Sequence, residues 1–175
     1  MECIHNHFNR TCTIFGEGFP CKSGPETFNE DGADVEGLRT SYQFFSQNYN
    51  VTDMKEIVYK SDSLSVTREQ AFFYLWGITM CRTLSSYKPY HTYSLPQVRL
   101  NGDMIQMEEF TQAFSCSPEQ RMYNVRGKNC YLFGPNSSPR QYTQSSSSHV
   151  TSRANMPSNP ACFVILTIVT IYLFA

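Results

Sequence analysis

A break in composition at Gly134 limits how much of this 175-residue chain can pack into a core. Residues 134–160 hold eight serines, four prolines and no acidic residue. Such a segment buries too little apolar surface to offset the entropy of ordering it, and reads as a flexible or O-glycosylated stalk. Residues 161–175 carry no charge. As a helix they would reach about 22 Å, short of the roughly 30 Å hydrocarbon core of a bilayer. No Lys or Arg follows them as a cytoplasmic stop. Small residues, a polar spacer and a terminal apolar run match a glycosylphosphatidylinositol signal, with Ser146 as the attachment residue. A plain transmembrane anchor is the alternative. What can fold is therefore residues 1–133, one domain at most.

Within that part the periodicities are mainly helical. Residues 1–28 read as irregular, Cys- and Gly-containing loop with short strands. From Asn29 or Asp31 a helix runs to about Tyr49, with Leu38, Tyr42, Phe45 and Tyr49 on one stripe. Its first turns place Glu30 and Asp34 four residues apart, on one helix face. A polar connector spans 50–67. Thr67 and Gln70 have capping-box spacing for a second helix, whose nearly continuous apolar run to Met80 predicts burial. Residues 82–104 read as a loop ending in a short extended segment at 97–100. A third helix is expected over Gln106–Phe114.

A net charge of −1 argues against an electrostatic footprint for nucleic acid. The seven cysteines include no C-x-x-C pair with zinc spacing, so disulfides and an oxidising compartment are the better reading. Cys12 and Cys21 are placed to close a short loop with each other. Sequons at Asn9, Asn50 and Asn136 agree with a secretory route. The N-terminal stretch has no charged n-region and no apolar h-region, so it is not a signal peptide. The simplest resolution is that Met1 is internal to a longer product, or that the gene is truncated. His5 and His7 share a face only on a strand, and they read as polar surface residues.

The order of features resembles the C-terminal region of the neprilysin/endothelin-converting-enzyme family of zinc metallopeptidases. Glu30-Asp31-Gly32-Ala33-Asp34-Val35-Glu36-Gly37-Leu38 through Tyr42 is similar to that family's glutamate motif. Gln70-Ala71-Phe72-Phe73 followed by Met80-Cys81 resembles its next segment. Val98-Arg99-Leu100-Asn101-Gly102 and then Phe110, Ala113, Phe114, Cys116, Met122 and Cys130 complete the likeness, which covers about Cys3 to Phe133.

The resemblance implies a mainly α, partial catalytic domain of about three helices plus loops. It implies Glu30 as a zinc ligand, Asp34 as the carboxylate that orients the site, and Arg99 as the residue that grips a substrate carbonyl. It implies a Cys3–Cys130 disulfide, and pairing of Cys81 and Cys116 with cysteines in a preceding segment. The family's transition-state histidine falls on Tyr93 by counting, or on His91 if the loop carries an insertion.

No H-E-x-x-H occurs in the chain. A catalytic zinc site needs about three protein ligands, and Glu30 is one. The chain alone is therefore expected to bind no zinc and to hydrolyse nothing. The alternatives are a piece of an active membrane endopeptidase completed by a missing N-terminal half, and a non-catalytic peptide-binding or decoy protein at the cell surface. With the helix that carries the histidines missing, the second helix is also expected to expose an apolar face.

Overall fold

The computed structural model describes residues 2–16, 18, 27–80, 92–124 and 128–133. The stalk, the apolar tail, Cys21, Cys81, His91, Asn136 and Ser146 lie outside them. The described part is mainly helical, as expected. Its elements run α1 (Glu2–Phe15), α2 (Phe28–Ser46), α3 (Val51–Met54), β1 (Ile57–Lys60), β2 (Ser65–Thr67), α4 (Arg68–Met80), α5 (Pro96–Ile105) and α6 (Glu108–Ala113).

Helix α1 corrects the expectation of irregular loop. Ile4, His7, Phe8, Thr11 and Cys12 are buried on one stripe, at the i, i+3, i+4 spacing of an amphipathic helix. Two members of the stripe are polar, which disguised it. Both are satisfied inside: Thr11 Oγ1 donates to the His7 carbonyl at 2.9 Å, and His7 Nε2 lies 2.8 Å from the Gly102 carbonyl oxygen. His7 is thus a buried residue that joins α1 to α5, rather than a surface histidine.

Helix α2 buries Asp31, Val35, Leu38 and Tyr42 along one face. The connector after it is partly ordered. Asn50 and Asp53 form a capping box on α3, and β1 pairs antiparallel with β2. The expected box on α4 is present: Gln70 N donates to Thr67 Oγ1 at 3.2 Å, and Thr67 N donates to Gln70 Oε1 at 3.0 Å. Helix α4 is not buried all round, however. Phe73 and Gly77 face the core, while Leu75 and Ile78 remain 63% and 60% exposed. This is the exposed apolar face expected for a partial domain.

The segment expected to be extended is the helix α5. Pro96 stands in its first turn, where a missing N–H costs no intrahelical bond. Seven of its residues, Val98, Leu100, Asn101, Gly102, Asp103, Met104 and Ile105, are buried. It is the central element. Val98 packs with Ile4, Phe8, Val35 and Cys130. Leu100, Met104 and Ile105 pack with Leu38, Phe73, Phe110 and Phe114. Burial of side chains of this size stabilises by about 1.5–3 kcal/mol each. A disulfide joins Cys3 to Cys130, with Cα atoms 5.6 Å apart, as the resemblance implied. Cys12 and Cys116 are also disulfide-bonded.

Candidate functional site

The site lies where α2 meets α5. Arg99 Nε and Nη2 both approach Asp34 Oδ2 at 2.6 Å. Each side chain is about one-sixth exposed, at 16% and 17%, so the pair is shielded from water and worth more than a surface bridge. The Arg99 guanidinium also lies over the Tyr93 ring, 4.5 Å from its centroid. Its Nη1 makes no hydrogen bond among the described residues.

Three residues before Asp34 on the same helix, Asp31 accepts a hydrogen bond from Ser94 Oγ at 2.8 Å. Burial pushes the Asp31 carboxyl up to about 6, with the Ser94 and Thr27 hydroxyls and Arg99 opposing. Burial raises Asp34 as well, against the pull of Arg99. A third carboxyl, Asp103, stands one turn beyond Arg99 on α5 and is fully buried. Trp76 Nε1 donates to its Oδ2 at 3.4 Å. Its Oδ1, like Asp31 Oδ1, has no partner among the described residues. Desolvation holds Asp103 well above the ordinary carboxylate range, reinforced by Asp34 and opposed by Arg99.

The structure therefore brings together Asp34, Arg99 and Tyr93 of the residues singled out in the sequence. Glu30 is half-buried on the same helix as Asp34, one turn before it. Asn9 is exposed on α1 and Asn50 is exposed at the N-cap of α3; Asn50 uses its side chain to accept from Asp53 N. Asp31, Ser94, Trp76 and Asp103 were missed. The i, i+4 spacing of Arg99 and Asp103 is the signal that finds the last of these.

This is an arginine clamped by a helix-borne carboxylate, with a glutamate one turn earlier on the same helix. Residues 1–130 match the family model described as peptidase family M13, and the chain belongs to that family. Neprilysin-3 of Drosophila melanogaster is 29% identical over 107 residues, 57% of this chain and 13% of that protein. The Kell blood group glycoprotein of Homo sapiens is 30% identical over 91 residues, 52% of this chain and 12% of that protein. The chain thus spans about an eighth of the curated relatives it matches. No solved structure matches it.

The family is zinc-dependent. The residues described here do not fit a self-contained zinc centre. Asp34 spends its charge on Arg99, Asp31 is bonded to Ser94, and Asp103 is sealed against Trp76. That leaves Glu30 as one donor where a tetrahedral site takes about three from the protein. Among the described residues no three His, Cys, Asp or Glu side chains group closely enough to hold an ion.

Proposed function

We propose that this chain is a neprilysin-like C-terminal fragment that holds peptide main chain without hydrolysing it. The observation that carries the reading is the Arg99–Asp34 pair at 2.6 Å, with no hydrogen bond from Arg99 Nη1 among the described residues. Two of the guanidinium's three nitrogens, Nε and Nη2, are fixed in direction by the carboxylate, so the planar group aims the third before any ligand arrives. An aimed cationic donor suits a peptide carbonyl or carboxylate. Hydrolysis needs in addition an activated water and its base, and Glu30 alone supplies neither.

The compartment we propose is the extracellular face of a membrane. Support comes from the Cys3–Cys130 disulfide, which persists in oxidising surroundings, and from the likeness to a protein named as a glycoprotein. No helix among the described residues is long and apolar enough to cross a membrane; the tail proposed as the anchor lies outside them. Its partners in this reading are peptides, the membrane, and the N-terminal half of a peptidase of this family.

The test incubates the purified chain with zinc and a quenched fluorescent peptide, and measures bound metal in parallel. The expected outcome is no cleavage and less than one zinc per chain, with peptide binding that Arg99→Ala abolishes. Chelator-sensitive cleavage with one zinc per chain overturns the non-hydrolytic reading. Equal peptide affinity for native chain and Arg99→Ala overturns the peptide-holding one.

A further inference from the structure

We infer that Tyr93 is a positioning residue for Arg99: its ring holds the guanidinium flat for peptide main chain, and its hydroxyl is not a donor to a reacting oxygen. The inference rests on the peptide-holding reading above. The guanidinium carbon is 4.5 Å from the ring centroid, well inside the range at which a ring face attracts a cation. Asp34 takes the Nε and Nη2 edge at 2.6 Å. One edge and one face of the arginine are therefore occupied, and these two contacts together fix its plane.

The ring is itself held in place. Ser94, the next residue, donates to Asp31 Oδ2 at 2.8 Å. Asp31 and Asp34 both project from α2, so one rigid helix fixes the arginine and the backbone beside the tyrosine. Tyr93 is 36% exposed, while the side chains of Arg99 and Asp34 are 16% and 17% exposed. An arginine already held in one plane loses less freedom when a carbonyl accepts from Nη1. The chemistry of this position also favours a neutral ring. An imidazolium here would set two cations face to face, whereas the tyrosine ring offers the negative face of its π-system.

The experiment follows the Arg99 Nε–Hε signal by NMR in the full-length 15N-labelled chain and, separately, titrates the blocked peptide acetyl-Gly-Phe-Leu-amide. Tyr93→Phe keeps the ring and loses the hydroxyl; Tyr93→Leu loses both. Tyr93→Gln is the second ring-free variant should leucine impair folding. The expected result is a ring-shifted Arg99 signal in the native chain and Tyr93→Phe, and a displaced one in the ring-free variants. Peptide affinity stays unchanged in Tyr93→Phe and falls about fivefold without the ring. An Arg99 signal that does not move when the ring is removed overturns the inference. So does a phenylalanine variant as impaired as the leucine one, since the hydroxyl would then carry the role. If the peptide binds none of the proteins, the peptide-holding reading fails, while the Arg99 signal still decides for or against positioning by Tyr93.

Discussion

Arg39 donates from Nη1 to the main-chain carbonyl of Cys130 at 2.5 Å, joining residues 91 apart in sequence. The same guanidinium reaches the Gln106 carbonyl at 3.1 Å and Glu36 at 3.0 Å, and it lies over the Tyr131 ring. Glu36 in turn accepts from Leu132 N at 3.0 Å. Helix α2 thereby fastens the segment around Cys130 through side chains, where a strand would use a ladder. Replacing Arg39 by Met leaves these carbonyls shielded and unbonded. It should cost about 3 kcal/mol in urea denaturation, and Arg39→Lys should recover only part of that loss, because an ammonium cannot span the same acceptors.

Two buried groups set opposing pH dependences. Burial lowers His7 from 6.5 to about 4, outweighing its bond to the Gly102 carbonyl. The folded state resists this proton, so its contribution is intact above pH 6.5 and is lost as pH falls through 4, by about 3 kcal/mol. Measured against the native chain, His7→Gln should gain relative stability on acidification over that window.

Asp103 works in the other direction. Burial raises its carboxyl well above the ordinary range, so the folded state holds this proton more tightly than the unfolded chain does. Its contribution is present below the ordinary carboxylate range and declines as pH rises above it. Asp103→Asn keeps an acceptor for Trp76 and removes the charge. Its stability relative to the native chain, followed by denaturant titration from pH 4 to 8, should therefore rise with pH.

Two glycines predict opposite signs. A Cβ on Gly102 would stand 2.5 Å from Cε1 of Phe8, a ring with no exposed surface. Gly102→Ala should lower stability by about 2 kcal/mol by prising α1 from α5. A Cβ on Gly37 meets nothing within 4 Å. Gly37→Ala, inside α2, should raise stability by about 0.5–1 kcal/mol. Thermal unfolding of both variants checks the pair.

What was legible in the sequence was local. The Thr67/Gln70 box, the α2 stripe and the Glu30/Asp34 spacing depend on neighbours three or four residues away, and each is found close to where it was read. Helix α1 was hidden because His7 and Thr11 look polar, and only the distant Gly102 carbonyl makes His7 a core residue. Helix α5 was hidden by its proline and glycine; its helical state is fixed by burial against α1, α2 and α4. At the site, Arg99 and Asp34 were each named, but their bond spans 65 residues. Asp103 was passed over because a charged residue that is fully buried is rare, and its burial depends on Trp76 from another helix.

The bond between Cys3 and Cys130 encloses 127 residues of sequence separation and has a bearing on how this protein would be traced in tissue. A protease that nicks any loop between those cysteines produces two fragments that still migrate as one species on a non-reducing gel and separate only when thiol is added. A blot run under reducing conditions alone would show short bands and suggest degradation, while the two parts remained a single covalently joined particle.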